Sequence, residues 1–399
     1  MKTIDLFSLS TPCFIVSDEE FARCVNGFWD ALARKFHNPL IGYSVKTNSL
    51  PYLLKEAGRL GCMAEVVSHD EYTLARHCGF TPRQIIYNGP MKSFETFIEA
   101  VQEGAIVNLE CKRELKWLHG LPHDGRIFNI GIRLNINISK VSPEDADGDD
   151  DNSRFGFSDE SSEFSEALQK ITEMPNVRLA GLHIHRTAHS RSPRFYERSI
   201  AYAASIIKKY DLKLDYLDVG GGYFGIFPNK PTFDDYAEAF RRPLAEAGLE
   251  KLRIIVEPGN ALTASCISFL SEVIDVKRVD DKTRFVTTDG SRNDVDPFFR
   301  KNDYLKEIFY ISNPDDRKTE PLQVVTGCTC LEYDRLFTLK DSVVLEPGDR
   351  ILYNNVGAYT MTLSPLFIRL FPAVYAHTQN GKYELVRRAW TAHDYDIKS

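Results

Sequence analysis

The 399-residue sequence lacks several features that would place it in a specialised class of protein. No apolar run approaches the length that spans a membrane, and the first residues do not resemble a signal peptide. The 49 Lys and Arg are outnumbered by 56 Asp and Glu, and the resulting net charge of −7 disfavours a nucleic-acid binder. The eight cysteines show no zinc-ligand spacing. We therefore expect a cytoplasmic protein with reduced thiols and without a metal site, bound neither to membranes nor to nucleic acid.

The composition that is present is that of a folded enzyme or small-molecule binder. Apolar residues make up 43% of the chain, with 25 Phe and 18 Tyr, and charged residues make up 26%. These values are ample for a packed core and argue against wholesale disorder. The length exceeds that of an average single core, so two domains are expected.

Short apolar runs alternate with helical periodicity through the first two thirds of the chain. Eight runs predict strands, at residues 40–45, 63–67, 84–88, 105–109, 127–134, 178–185, 214–219 and 252–256. Eight such alternations are what a (β/α)₈ barrel requires. A doubly wound open sheet gives the same local signal, so periodicity alone leaves both open.

Helix start signals support this alternation. Ser17 with Glu20, and Ser68 with Glu71, have the spacing of capping boxes, in which two side chains satisfy the free N–H groups of a helix start. Ser93 can cap a third helix, before an apolar run that ends at Gly104, where a helix terminus favours positive φ.

One acidic segment, residues 142–152, interrupts the rhythm after the fifth strand. It contains six Asp or Glu but lacks the spacing of a calcium loop that ends in a bidentate Glu. We interpret it as a solvated loop that could act as an active-site lid.

Beyond Gly259 the pattern changes to strands joined by turns. Strands are predicted at 285–288, 322–326, 342–345 and 349–354, and Asn380-Gly381 predicts a hairpin between 373–379 and 382–388. The apolar run 12–16 can pair with these strands. The sequence thus predicts a barrel domain over 21–259 and a mainly β domain formed by 1–20 and 260–399.

Candidate chemistry gathers at the predicted strand ends. Lys46 follows the first strand, where an α/β barrel places its active site and where an amine could form a Schiff base with a carbonyl. On its own motif alone it could equally be a surface lysine. The triple glycine Gly220-Gly221-Gly222 can present N–H groups to an anion such as a phosphate, although glycine-rich turns are common.

Two further strand ends carry ionisable side chains. His183 and His185 lie two apart and face the same way, but nothing nearby completes a metal site. One of them could pack flat on an aromatic ligand, and His183 could also be an ordinary core histidine. Glu257 ends the eighth strand, where it could pair with a cation or remain a solvated acid.

In this order the motifs resemble those of the fold-type III pyridoxal phosphate-dependent decarboxylases, the ornithine/diaminopimelate decarboxylase family. The likeness rests on 43–48 (YSVKTN), 181–185 (GLHIH), 220–222 (GGG), 257–259 (EPG), 327–330 (GCTC) and 357–359 (GAY). It covers nearly the whole chain, and it implies a (β/α)₈ barrel followed by a β domain, usually in a head-to-tail homodimer.

The resemblance assigns roles around the cofactor, pyridoxal 5'-phosphate. Lys46 would hold it as an internal aldimine, His185 would stack on its ring, and Glu257 would pair with the ring nitrogen. The residues that the resemblance places at the cofactor are Lys46, Glu65, Arg133, His185, Gly220, Gly221, Gly222, Glu257 and Tyr359. Relatives usually carry aspartate at the position of Glu65.

The resemblance also implies the reaction. With the cofactor as electron sink, the substrate would lose CO₂, and Cys330 would return a proton to the carbanion. Cys330 and Asp334 would complete the site of the neighbouring subunit. Alanine racemases place an arginine against the ring nitrogen, so Glu257 favours decarboxylation over racemisation. A non-catalytic regulatory protein that kept this fold is the alternative of a different class.

Four departures from the family pattern bear on the substrate. Asn260 stands where relatives usually have arginine, and Thr187-Ala188 replaces a Gly-Ser pair, which removes two expected phosphate contacts. Asp296 precedes Pro297 where diaminopimelate decarboxylases carry arginine, and Leu331 replaces an acid after the cysteine. A site that lacks this arginine and carries Asp296 suits diaminopimelate poorly. Asp296 and Asp334 are the residues predicted to bind the substrate. We expect an amino acid that yields a diamine, as in polyamine biosynthesis, or a larger conjugate such as a siderophore intermediate.

Overall fold

The computed structural model describes residues 6–146, 153–186 and 188–396. The chain divides into two compact units, one formed by Arg23–Leu262 and the other by Met1–Ala22 together with Thr263–Ser399. We call them the barrel unit and the sheet unit. All eight cysteines lie in the described residues, and none of them forms a disulfide there.

The strands and helices follow in chain order. The strands are β1 Cys13–Ser17, β2 Leu40–Ser44, β3 Met63–Ser68, β4 Ile85–Met91, β5 Ile106–Leu109, β6 Phe128–Asn135, β7 Phe157–Ser158, β8 Val177–His183, β9 Tyr216–Asp218, β10 Arg253–Val256, β11 Ile267–Arg278, β12 Thr283–Thr288, β13 Lys306–Phe309, β14 Thr319–Thr326, β15 Arg335–Val343, β16 Arg350–Tyr353, β17 Ala373–His377 and β18 Tyr383–Arg387. The helices are α1 Asp18–Ala33, α2 Pro51–Arg59, α3 His69–His77, α4 Phe94–Gln102, α5 Lys112–Trp117, α6 Ile138–Val141, α7 Glu163–Thr172, α8 Pro193–Lys209, α9 Phe233–Ala247, α10 Asn260–Thr263, α11 Arg292–Val295, α12 Thr360–Leu363 and α13 Ala392–Tyr395.

Eight parallel strands of the barrel unit close into a ring. Their order is β5-β4-β3-β2-β10-β9-β8-β6, and pairing of β5 with β6 closes it, while the short β7 pairs with β6. This closure confirms the predicted (β/α)₈ barrel and excludes the open sheet. Helices cover the outer face of a closed parallel sheet, so its strands are buried on both faces. Strands buried in this way have nearly continuous apolar sequences, which is why the sequence predicted them.

The predicted helix caps form, with one difference in detail. The N–H of Glu20 donates to Ser17 Oγ at 3.2 Å, and the N–H of Glu71 donates to Ser68 Oγ at 3.1 Å. The Glu71 carboxylate accepts from the N–H of Val67 at 2.8 Å, one residue before the cap. Gly104 has a φ of +84°, as its position at a helix end predicted.

The sheet unit is built on a mixed sheet with the order β15-β14-β12-β11-β1-β17-β18, and β16 joins β11 to β13. The N-terminal strand β1 pairs with β11 and β17, which confirms the predicted pairing of the 12–16 run. The Asn380-Gly381 hairpin between β17 and β18 is also confirmed, with Gly381 at a φ of +72°.

The predicted strand 342–345 is wrong. The strand is β15, which ends at Val343 and pairs with β14 from Arg335 onward. The apolar run Val343-Val344-Leu345 suggested a strand, but Gln323 accepts the N–H of Leu345 through its side chain, so this run leaves the ladder.

The start of the acidic segment is solvated only in part: Pro143 and Glu144 are exposed, as expected, but two of their neighbours are not. Ser142 and Asp145 are buried, and Asp145 accepts hydrogen bonds from Ser142 Oγ at 2.6 Å, from Ser192 Oγ at 3.2 Å and from Ser190 Oγ. A short polar segment can be buried here because its acid finds three hydroxyl donors. The remainder, 147–152, and Thr187 lie outside the described residues.

The helices were also compared with the requirements of a bilayer. In the three described stretches, none is both long enough and apolar enough to cross a membrane.

Candidate functional site

The barrel strands end in a group of polar side chains at one mouth of the barrel. Lys46 lies in a single 3₁₀ turn after β2, Glu65 lies in β3, and Glu257 follows β10. The carboxyl ends of barrel strands are where active sites of this fold are built.

Lys46 and Glu65 form an ion pair at this mouth. The Lys46 Nζ lies 2.6 Å from Glu65 Oε2, and the hydroxyl of Ser44 donates to the same oxygen at 2.7 Å. About a third of the Lys46 side chain is exposed, at 32%, whereas Glu65 is buried. The amine therefore opens toward solvent while its counterion is fixed inside the barrel.

Glu257 is a buried carboxylate with several groups around it. The amide of Asn88 donates to Glu257 Oε1 at 2.5 Å, and ring nitrogens of His183 and His185 lie 3.6 and 3.8 Å from Oε2. Asp218 shares a side-chain hydrogen bond with it, and burial next to the Glu257 charge raises the pKa of Asp218 well above its usual value. Burial and the neighbouring carboxylate therefore favour the protonated form of Asp218.

The two histidines differ in their surroundings. His183 is buried, and among the described residues neither of its ring nitrogens has a hydrogen-bond partner. His185 is 24% exposed, and its Nδ1 accepts the N–H of Gly221 at 2.8 Å. Burial, and then the charge of Arg133, lower the pKa of both rings well below the usual value. His185 is therefore neutral at pH 7, with its proton on Nε2.

These two histidines and Glu257 also have a spacing that a metal could use, with ligand atoms within 4.8 Å of one another. The Gly221 N–H already occupies Nδ1 of His185, however, so that nitrogen is not free to bind an ion.

The triple glycine packs so closely that no side chain fits. Gly220 and Gly222 have φ of +69° and +97°, a region that favours glycine. A Cβ on Gly220 would lie 2.3 Å from His185 Nδ1, and one on Gly221 would lie 2.3 Å from the carbonyl oxygen of Glu257. The loop is bare backbone packed against the His185 side chain and the Glu257 backbone, which suits close approach of an anion.

The Arg133 guanidinium donates its hydrogen bonds to other groups of the protein. Its Nη1 donates to both carboxylate oxygens of Glu110 at 3.0 Å, and its Nη2 donates to the carbonyl oxygen of His185 at 2.6 Å. These bonds hold the chain at His185 in place. A direct contact of Arg133 with a cofactor stays a prediction.

The remaining predicted residues lie in the sheet unit. Cys330 is exposed, and Asp334 is buried and organises the cysteine loop, since it accepts from Thr329 Oγ1 at 2.6 Å and from the N–H of Arg292 at 2.9 Å. Tyr359 is 37% exposed, with a φ of +62°.

Asp296 is occupied within its own unit. It accepts from Arg292 Nη2 at 2.9 Å, from the N–H of Lys301 at 2.8 Å and from the hydroxyl of Tyr304 at 3.3 Å. This network gives Asp296 a structural role, and its predicted contact with a substrate stays a prediction.

The sequence reasoning missed the groups that surround the carboxylates. Asn88, Asn108, Glu110 and Asp218 are all buried at this mouth. Only Asp218 had a usable signal, because a carboxylate in an apolar strand immediately before the glycine loop needs a partner.

Comparisons with known proteins agree with this geometry. The family model described as "Pyridoxal-dependent decarboxylase, pyridoxal binding domain" matches residues 23–264. A probable chloroplastic diaminopimelate decarboxylase of Oryza sativa subsp. japonica is 26% identical over 96% of this chain and 79% of its own length. The L-glutamyl-[BtrI acyl-carrier protein] decarboxylase of Niallia circulans is 25% identical over 90% of this chain and 87% of its own. A crystal structure of diaminopimelate decarboxylase from M. jannaschi shares the fold, with a TM-score of 0.83, 23% identity and coverage of 98% and 93%.

Proposed function

The chain belongs to the family of pyridoxal-dependent decarboxylases, and from this premise we propose that it removes the α-carboxylate of an amino acid or of an intermediate derived from one. Its cofactor is pyridoxal 5'-phosphate. When bound, this cofactor supplies the electron sink that makes loss of CO₂ feasible.

The donor set at the barrel mouth fits this cofactor. An amine, a buried carboxylate, a neutral imidazole and a glycine loop without side chains gather at this mouth. Lys46 pairs with Glu65, while His185 lies 3.8 Å from Glu257 and accepts the N–H of Gly221. The four groups correspond to the four parts of the cofactor that need partners, namely the aldehyde, the ring nitrogen, the ring face and the phosphate. The observation that carries the proposal is that Lys46 and Glu257 are joined through Glu65 and Asn88 at one mouth.

Each of these side chains has a task under the proposal. Lys46 would attach the cofactor, and Glu65 would hold the Lys46 amino group whenever it is released from the cofactor. Glu257 would keep a proton on the ring nitrogen, because it is a buried carboxylate that Asp218 hydrogen-bonds from behind. Neutral His185 offers a flat face to the ring without adding a positive charge that would oppose that proton.

The sheet unit supplies the proton donor in this proposal. Cys330 lies on a loop that buried Asp334 holds, and it returns a proton to the substrate carbon in the site of a second copy of the chain. An apolar surface supports a homodimer: Leu363, Leu366, Phe367 and Ile368 are 46, 37, 40 and 55% exposed. Such a patch on one short segment marks a protein interface.

The surroundings of Arg292, a cation near Asp296 and Asp334, limit the classes of substrate that fit this site. This guanidinium pairs with Asp296, donates to the Lys301 carbonyl and lies 4.6 Å from the Phe299 ring centroid. The Arg292 guanidinium is therefore paired within the sheet unit and is not available to bind a second carboxylate of a substrate. Relatives named for diaminopimelate and for a carrier-bound glutamyl group define the two substrate classes to compare.

Covalent trapping tests the attachment. Reduction of the holoenzyme with borohydride, followed by peptide mass spectrometry, is expected to find the pyridoxyl group on Lys46. Lys46→Ala removes that peptide adduct, whereas Lys55→Ala, a change at an exposed lysine of α2, leaves it. Attachment at another lysine, or none with excess cofactor, would contradict the proposal.

The alternative of a non-catalytic binding protein rests on the residues that replace phosphate contacts. Ala188 is buried and offers no hydroxyl, and Asn260 offers no charge. That alternative predicts cofactor binding without CO₂ release from any amino acid.

A further inference from the structure

Asn88, in the middle of β4, is a buried amide that bonds two carboxylates at once. Its Nδ2 donates to Glu257 Oε1 at 2.5 Å and to Glu65 Oε1 at 3.2 Å. A carboxamide nitrogen has two hydrogens, so both bonds can form together. Asn88 thereby links the counterion of Lys46 to the carboxylate proposed for the ring nitrogen.

The direction of this amide is fixed by a chain of hydrogen bonds behind it. Asn88 Oδ1 accepts from Asn108 Nδ2 at 2.8 Å, and Asn108 Oδ1 accepts from the hydroxyl of Tyr216 at 2.9 Å. Ionised carboxylates only accept, so Asn88 must turn its nitrogen toward them. Each earlier member of the chain must then donate forward, with Tyr216 as the first donor.

The barrel makes room for this chain with two glycines in its strands. A Cβ on Gly131 would lie 1.9 Å from Asn108 Oδ1, and one on Gly181 would lie 2.0 Å from Tyr216 Cζ. Neither glycine has a positive φ, so conformation does not require them. Space for the hydrogen-bond chain is the reason that no side chain can stand at either position.

We propose that Asn88 is a positioning residue that holds Glu65 and Glu257 in place as two neighbouring anions. The inference rests on the proposed function, because its consequence is the alignment of Lys46 and Glu257 toward the same cofactor. An amide suits this position since it donates two hydrogens at every pH and adds no charge. An acid there would repel both carboxylates unless it were protonated.

Other ionisable groups also face these carboxylates. Protonated Asp218 bonds Glu257 from β9, and Lys46 bonds Glu65. His183, the last residue of β8, and His185, just after that strand, also approach Glu257. Asn88 donates to both Glu65 and Glu257, whereas each of these other groups contacts one of the two carboxylates. Removal of the Asn88 amide is therefore expected to let the two carboxylates move apart.

The test is the dissociation constant of pyridoxal phosphate, measured by absorbance titration of the apo-protein between pH 6 and 8.5. Asn88→Ala should weaken binding by about tenfold to a hundredfold, the usual effect of losing hydrogen bonds to charged groups. Asn88→Asp should bind poorly at pH 8.5 and recover toward wild type at pH 6, because a protonated Asp donates one hydrogen bond. A purely structural role predicts no such pH-dependent recovery.

Two further variants complete the experiment. Tyr216→Phe keeps the ring between the glycines and should weaken binding by about twofold to tenfold, which tests the chain even if Asn88→Ala fails to fold. Asn129→Ala is the matched control on β6, where an exposed amide accepts from Arg178. If the wild type binds cofactor and Asn88→Asp follows its pH profile, the inference is wrong. If the wild type binds none, the proposed function fails and the inference with it.

Discussion

Several acids of this protein are buried with a proton that they would lose in water. Burial raises the pKa of Glu71 to about 7 and that of Asp294 to about 6. Burial and the charge of Glu257 raise that of Asp218 further. These three acids therefore hold more protons near neutral pH in the folded chain than in the unfolded chain, and their contribution to stability falls as those protons are removed.

Glu71→Gln tests this linkage at one residue. The stability that comes from the raised pKa is fully present below about pH 4.5 and is lost as the pH rises through about 7. The wild type should lose about 1–3 kcal/mol of unfolding free energy from this group between pH 5 and 8, and Glu71→Gln should lack that loss. Urea denaturation at both pH values measures it.

Glu95→Gln, at an exposed acid of α4, is the control and should keep the pH dependence of the wild type. An identical pH dependence in Glu71→Gln would contradict the assignment of this loss to Glu71.

Candidate site residues that lie in a recognisable motif could be identified from the sequence. Residues that matter only through their contacts in the fold could not. Lys46, His185 and Glu257 were singled out because each stands at a strand end in a recognisable motif, although their roles stay predictions. Asn88 and Asn108 carry no such signal. Their importance arises only when β4 and β5 come together in the barrel, where Asn108 donates to Asn88 and Asn88 donates to Glu257.

At the scale of elements, the barrel strands were predicted closely and those of the sheet unit less so. Buried parallel strands are continuous apolar runs, and each predicted range overlaps the observed strand. The 12-residue β11 went unpredicted because exposed residues such as Ile274, Lys277 and Arg278 interrupt its apolar pattern. Strands with one exposed face need tertiary pairing to define them.

Helix α9 offers a prediction about an element. The hydroxyl of Thr232 accepts the N–H of Asp235 at 3.2 Å, and the Asp235 carboxylate accepts the N–H of Thr232 at 2.7 Å. Thr232→Ala should lower the unfolding free energy by about 1 kcal/mol and leave cofactor affinity unchanged, because the cap contributes no group to the site. Urea denaturation and cofactor titration measure the two quantities.

Thr172→Ala, which removes an exposed hydroxyl at the end of α7 that bonds the Leu168 carbonyl, should change stability by less than about 0.5 kcal/mol. Equal effects of the two threonine variants would show that the α9 cap is not a stabilising feature.

At the scale of the whole molecule, the central question is whether one copy of the chain is sufficient. The residues proposed for catalysis are divided between two compact units. The barrel mouth has Lys46 and Glu257, whereas Cys330 and the exposed apolar segment at 363–368 belong to the sheet unit. This division is consistent with a homodimer whose sites draw residues from both copies.

Mixing two inactive variants tests the shared site. Lys46→Ala and Cys330→Ala should each be inactive, and refolded mixtures should regain about a quarter of wild-type activity, since half of randomly formed dimers carry one intact site. No recovery in mixtures that do form mixed dimers would contradict sharing.

Phe367→Glu, which places a charge in the apolar segment, should shift the sedimentation behaviour toward monomer.

Release of CO₂ from the α-carboxyl group tests the account most directly. The cofactor-loaded protein would be assayed with diaminopimelate, ornithine, arginine, lysine and a glutamyl thioester on a carrier protein. The account predicts CO₂ and the matching amine in equal amounts from at least one of them, with Lys46→Ala inactive and Lys55→Ala as active as the wild type. Cofactor binding without CO₂ from any substrate, or interconversion of enantiomers alone, would contradict it.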